Sequence, residues 1–145
     1  APPVVVLGVS GGVPAGADPS AAGSREGAAE NPRDKAAKLL AATLNKATGA
    51  PLDNNKSPSR KGKELDNRGS TFYIAKYWAE EMAKHDDAFK PLAENLAANE
   101  DKIVSELIEC QGPAVDLGGY WKPDIDKCTK AMRPSPPFTA ALDTP

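Results

Sequence analysis

Residues 66–70, Asp-Asn-Arg-Gly-Ser, hold the side chain best suited to chemistry, Arg68. It stands just ahead of a segment with helical periodicity, beside Gly69. Backbone N–H groups at a helix start, the positive end of the helix dipole and a guanidinium together suit an anion. Arginine grips a phosphate through two parallel hydrogen bonds. The plainer reading is a structural arginine paired with Asp66 or Glu64, and the residues themselves favour it, because no other part of a dinucleotide pocket is visible.

Other reactive residue types are sparse. Lys56, Arg60, Lys61 and Lys63 form a local basic cluster, the kind of run that is ordinarily a solvated surface. His85, the sole histidine, follows Lys84 near a helix end, where it complements the dipole. It has no orienting partner of the sort a general base needs. Cys110 and Cys128 are separated by 17 intervening residues, with neither zinc spacing nor a CxxC motif, and read as reduced, half-buried thiols. Gly8, Gly11 and Gly12 after a short apolar run lack GxGxxG spacing, and no P-loop lysine follows. No catalytic residue and no metal ligand can be assigned.

The elements that must position Arg68 follow from periodicity and punctuation. Residues 1–30 are rich in Gly, Ala, Ser and Pro and read as an extended arm, with residues 4–7 able to pair as one strand. Asn31-Pro32 opens a helix whose stripe is Ala36, Leu39, Leu40, Thr43, Leu44 and Ala47, with Gly49 as its stop and Pro51 beyond. Residues 52–67 read as an ordered polar loop. Residues 70–84 form an aromatic amphipathic helix with Phe72, Ala75, Ala79, Met82 and Ala83 on one face, widened by Tyr73, Tyr77 and Trp78. Asp86 and Asp87 start one further helix to about residue 111, striped by Phe89, Leu92, Leu96, Ile103, Val104, Leu107 and Ile108. Gly112-Pro113 ends it. Residues 115–122 read as a strand or tight turn, with Gly118-Gly119 demanding special backbone angles. Pro123-Asp124 starts a last short helix to about Met132, stopped by Pro134, Pro136 and Pro137. The fold class is mainly α: a unit of three to four helices with a Gly/Pro-rich N-terminal arm and an irregular C-terminal tail. Its organisation is residues 1–30 as arm, 31–142 as helical domain and 143–145 as tail.

The chain has 145 residues, enough for one ordinary domain, and its net charge of −2 gives no electrostatic case for nucleic acid. No apolar run approaches the ~20 residues that span a bilayer.

Two longer stretches carry a resemblance. Residues 53–82, DNNKSPSRKGKELDNRGSTFYIAKYWAEEM, and residues 115–142, VDLGGYWKPDIDKCTKAMRPSPPFTAAL, are similar to the C-terminal region of monomeric-type NADP-dependent isocitrate dehydrogenase. The likeness runs from about residue 31 to 142 and covers only the last part of a much longer enzyme. By position, it implies that Arg68 contributes to binding the 2′-phosphate of NADP. Thr71 departs from the pattern, standing where the family commonly has histidine. The family's metal-binding aspartates, its substrate-binding set and its acid–base pair lie upstream of the matched region, so the resemblance assigns none of them here. The Gly119-Tyr120-Trp121-Lys122-Pro123 motif reads as a tight turn with an aromatic anchor holding the chain's end to the domain.

Two expectations follow. The first is a non-catalytic accessory subunit of a larger protein assembly, an organellar membrane complex being a suitable setting. The second is one piece of an NADP-dependent isocitrate dehydrogenase completed by another polypeptide. A small nucleotide-binding regulator ranks last, because one arginine and a loop do not make a pocket.

Overall fold

The computed structural model describes residues 31–143. The arm at 1–30, its possible strand at 4–7, the glycines at 8, 11 and 12, and residues 144–145 lie outside the described residues. Within them the chain is all helix and loop, in the order α1 (Pro32–Asp53), α2 (Asn67–Ala83), a 3-10 turn (Asp87–Phe89), α3 (Lys90–Ala98), α4 (Glu100–Glu109), α5 (Ile125–Met132) and α6 (Pro136–Asp143). The mainly α expectation holds. Its subdivision is finer than the sequence reading, and each difference has a local cause.

Helix α1 starts where expected, with the Asn31 side chain accepting from the Arg33 N–H at 3.0 Å. It does not stop at Gly49 but runs through Pro51 to Asp53. Proline removes only one backbone donor, and here it does so in the last turn, with its ring buried. The stop is Asn55, in the left-handed region at φ 56°, a role asparagine can take in place of glycine. The region expected as one helix from residue 86 to 111 is divided. Asp86 is extended, and its carboxylate accepts from the Ala88 N–H at 3.0 Å, capping the 3-10 turn. Asn99 leaves helical geometry and turns its amide back onto the Asn95 carbonyl at 2.9 Å, a side-chain bond that competes with the helix ladder. Pro91 falls in the first turn of α3, where its missing N–H costs nothing.

The expected proline stop after residue 132 is also the start of α6. Buried Ser135 caps it, its carbonyl accepting from the Thr139 N–H, and Pro136 takes the first helical position. Residues 115–122 contain no strand. Asp116 Oδ1 accepts from the Gly118 N–H at 2.8 Å, and the Asp124 N–H donates to the Leu117 carbonyl at 2.8 Å, closing a loop. Gly118 has φ +79°, and a Cβ there would meet the Asp124 side chain at 2.7 Å, so the special backbone geometry is real.

Helix α2 is the central packing element. Phe72 and Tyr73 on α2, Leu96 on α3, Ile103 and Leu107 on α4 and Ala141 on α6 are all buried in one cluster. Phe72 meets Tyr73 and Phe138 edge to face, each at 5.2 Å between ring centroids. The Tyr73 hydroxyl donates to Glu100 Oε1 at 2.8 Å, and Lys76 bridges Glu80 and Glu100 at 3.1 and 3.2 Å, tying α2 to α4.

The seam between α1 and α2 centres on Thr43. Its hydroxyl donates back to the Leu39 carbonyl at 2.8 Å and accepts from the Trp78 indole N–H at 2.9 Å. Replacing it with valine keeps the shape and leaves that N–H without its acceptor. Thr43→Val is expected to lower stability by about 1–2 kcal/mol, while Thr43→Ser stays closer to the parent. Urea denaturation followed by circular dichroism reads the difference, and equal midpoints for all three proteins would remove the hydrogen bond from the account.

Candidate functional site

Asp66 starts the site by capping α2. Its Oδ1 accepts from the backbone N–H groups of Arg68 at 2.9 Å and Gly69 at 3.1 Å. Helix α2 therefore begins at Asn67, three residues earlier than the sequence reading placed it, and Arg68 lies in its first turn rather than ahead of it. The anion at this helix start is the protein's own carboxylate. Gly69 lies against Leu65: a Cβ there would sit 2.3 Å from Leu65 Cδ1, so the leucine side chain would have to move aside.

The Arg68 guanidinium is held on two sides. Its Nε donates to Asp66 Oδ2 at 2.9 Å and its Nη2 to the same oxygen at 2.7 Å. Its Nη1 donates to the Ala131 carbonyl, in the last turn of α5, at 2.9 Å. Three of its five N–H groups are taken up by these bonds, and the Cys110 side chain is a further partner of the guanidinium. The hydrogen bond to Asp66 holds the Arg68 pKa above its ordinary value. Burial alone would raise Asp66. The hydrogen bonds from the Arg68 side chain and the Gly69 N–H outweigh it and hold the carboxyl below its ordinary 3.8.

A group lowered in the folded state contributes stability above its unfolded pKa, and that contribution is lost as pH falls through the folded value. Wild type is therefore expected to lose stability below about pH 3.8 partly through Asp66. Asp66→Asn, which keeps a capping oxygen, should be less stable at neutral pH and show a shallower acid limb. Thermal melts from pH 7 to pH 2.5 check this, and parallel limbs would rule the carboxylate out.

Arg68 lines a groove of about 340 Å³ between the start of α2, the end of α5 and α6. Its lining includes the polar residues Asn67, Arg68 and Arg133 and the apolar residues Leu107, Met132 and Phe138. Thr71 also lines it, with its hydroxyl turned back onto the Asn67 carbonyl at 2.8 Å. Arg133 also lines this groove and was not singled out in the sequence. The signal that could have found it is its place between a short helix and a proline.

The remaining sequence candidates are dispersed. Lys56 Nζ sits 4.8 Å from the centre of the Tyr73 ring, whereas Lys63 Nζ donates to the carbonyls of Glu109 and Gln111 at the end of α4. With Arg60 and Lys61 exposed in the loop, the basic cluster has no common focus. That loop is ordered, as expected: Gln111 takes the Lys63 N–H at 2.8 Å and gives its amide to the Glu64 carbonyl at 2.8 Å. His85 is exposed just past α2. Cys110 and Cys128 are half-buried free thiols. The aromatic motif departs from expectation. Tyr120 is fully exposed and Trp121 is 98% exposed, so neither ring anchors the chain's end to this unit. The loop is closed by its own backbone and by the ion pair of Lys127 with Asp116, which leaves the rings outside.

Among the described residues no group of three or more His, Cys, Asp and Glu is placed to hold a metal ion. No helix among them is long and apolar enough to cross a membrane.

A helical unit with one oriented arginine in a groove and large exposed aromatic residues has the character of one part of a larger folded body. The family model for monomeric isocitrate dehydrogenase matches residues 20–143, beginning inside the stretch read as an arm. The chain belongs to that family. It is 57% identical over 113 residues to isocitrate dehydrogenase (NADP) 2 of Mycobacterium tuberculosis, a match covering 74% of this chain and 15% of that protein. It is 51% identical over 125 residues to isocitrate dehydrogenase (NADP) 2 of Psychrobacter sp. strain 13A, covering 82% of this chain and 17% of the relative. It is 50% identical over 119 residues to isocitrate dehydrogenase (NADP) of Azotobacter vinelandii, covering 78% and 16%. The chain thus matches only about a sixth of the length of these curated relatives.

Proposed function

We propose that this chain is the C-terminal helical part of an NADP-dependent isocitrate dehydrogenase completed by further polypeptide, in which Arg68 faces the 2′-phosphate of NADP. The observation that carries this reading is the held guanidinium. Asp66 and the Ala131 carbonyl fix its plane, on a residue that lines the groove. A pre-oriented arginine loses little side-chain freedom when an anion arrives, which favours binding. The residues present fit one side of a phosphate. Asp66 already compensates the Arg68 charge, and Arg133 is the other cationic residue among the groove's lining. NADP, when bound, accepts the hydride taken from the hydroxy acid. This chain's share is to seat the adenosine end and to discriminate NADP from NAD.

The test is a chimera. The matched segment of the M. tuberculosis relative is replaced by residues 31–143 of this chain, and isocitrate oxidation is followed with NADP and with NAD. NADP-dependent turnover is the expected result. A folded chimera without it would overturn the reading.

A specific observation favours a second reading, a non-catalytic structural subunit of a larger assembly. The Arg68–Asp66 pair and the Ala131 bond make a complete structural clasp between α2 and α5 without any ligand. The family's usual histidine is also absent at Thr71. Native electrophoresis of the source extract, with mass spectrometry of the companions, separates the two. Migration with a complex lacking the other dehydrogenase segments supports the structural role.

A further inference from the structure

Helix α5 buries none of its eight residues, and only Cys128 and Ala131 among them are partly covered. These two stand three apart, so they share one face, the face that α5 turns toward the rest of the unit. There the Ala131 carbonyl accepts from Arg68 Nη1 at 2.9 Å. The same guanidinium has the Cys110 side chain as a partner. Cys110 is the C-cap of α4, half-buried, with its thiol donating to the Leu107 carbonyl at 3.2 Å. One arginine therefore links the end of α4 to the inward face of α5, and each of them carries a free thiol. Cys128 is also within reach of small molecules, because it lines an open depression of about 300 Å³ with Thr129, Met132 and Arg133.

We propose that Cys110 and Cys128 are a dithiol pair that a low-molecular-weight disulfide converts to an intramolecular disulfide, clamping α5 to the end of α4. The Cys128 thiolate attacks the small disulfide, forming a mixed disulfide and releasing one thiol. The Cys110 thiolate then attacks the Cys128 sulfur. The Cys110–Cys128 bond forms and the second small thiol leaves. Two protein thiols are oxidised, one small disulfide is reduced to two thiols, and the two protons pass to the released sulfurs. Because α5 buries no residue, little packing opposes its settling to the Cα separation of about 4.4–6.8 Å that a disulfide requires. Met132 and Arg133, at the end of α5 and just past it, line the Arg68 groove, so the bond fixes one wall of that groove.

The experiment equilibrates the 145-residue chain in mixtures of reduced and oxidised glutathione, once under native conditions and once in concentrated urea. Acid-quenched samples are read by peptide mass spectrometry without reduction. The expected product is a monomer with a Cys110–Cys128 cross-link. Its equilibrium constant should be at least about tenfold more favourable in the native chain than in urea, the mark of thiols that the fold brings together. Equal constants, or a less favourable native one, overturn the proposal, as do two mixed disulfides with glutathione or a disulfide-linked dimer. Cys110→Ser is expected to stop with glutathione on Cys128, and Cys128→Ser to leave Cys110 largely unmodified. The reverse pattern overturns the assigned order of attack. Where a serine variant does not fold, the native-to-urea ratio of the parent chain still decides. Amide hydrogen exchange across residues 125–132 is expected to slow in the oxidised chain. Unchanged exchange there overturns the clamp on the groove's wall.

Discussion

Phe72→Ala is expected to destabilise the helical unit by about 3–5 kcal/mol, the largest effect of any single substitution considered. Phe72 is completely buried at the point where α2, α4 and α6 converge. Its removal takes a ring out of contact with Tyr73 and Phe138, both edge to face at 5.2 Å. The loss combines the transfer energy of the ring with a cavity that helices pinned elsewhere cannot fill. Lys76 holds α2 to α4 through Glu100, and Ser135 fixes the start of α6, so collapse is restricted. Domains of this size have only about 5–15 kcal/mol of net stability, so the variant sits close to unfolding at room temperature. Phe72→Leu, which keeps most of the volume, should cost less than about 1.5 kcal/mol. Urea titrations with an unchanged slope and a large shift in midpoint are the expected result. A midpoint shift worth less than about 1 kcal/mol for Phe72→Ala would mean that this ring is not the centre of the core.

The elements that a one-dimensional pattern can encode were legible in the sequence. Phe72, Ala79 and Met82 were assigned to the buried face of the aromatic helix, and all three are buried. Leu96, Ile103 and Leu107 were assigned to the next stripe and reach the core, although from two helices rather than one. The break at Asn99 was not legible because periodicity runs straight across it. It depends on a side chain choosing the Asn95 carbonyl over solvent. Helix α6 was missed because proline signals both a stop and a start, and only the cap at Ser135 distinguishes them. The outcome for Arg68 turned on one residue. Asp66 was named as a structural partner, and it is one, but its second role as the cap of α2 moved the helix start and placed Arg68 inside the first turn. Arg133 was out of reach because it shares the groove with Arg68 only through the fold, across 65 residues of chain. The exposure of Tyr120 and Trp121 runs against the ordinary expectation that large rings are buried.

In the chimera, Arg68→Ala is expected to raise the KM for NADP by about 10- to 100-fold, the range of a lost charge-assisted hydrogen-bond pair worth about 1.5–3 kcal/mol. The substitution has two consequences that must be separated. It removes the guanidinium of a residue that lines the groove, and it also leaves Asp66 half-buried without its cation and the Ala131 carbonyl without its donor. The second consequence is structural and would weaken any cofactor held nearby. The comparison with NAD separates them, because NAD lacks the 2′-phosphate and shares everything else. A phosphate-binding Arg68 predicts a KM that rises for NADP and hardly moves for NAD, with kcat little changed for either. A purely structural Arg68 predicts equal losses for both. Charge gives a second, independent handle. The second ionisation of a phosphate monoester lies near pH 6, so a guanidinium that contacts the dianion makes NADP affinity fall as pH drops through about 6. That pH dependence should flatten in Arg68→Ala and be unchanged in Asp66→Asn, which keeps the guanidinium and alters only its support. Arg68→Lys retains the charge without the planar fork and should fall between wild type and alanine. Parallel pH profiles and equal losses for the two cofactors would assign Arg68 wholly to the clasp between α2 and α5.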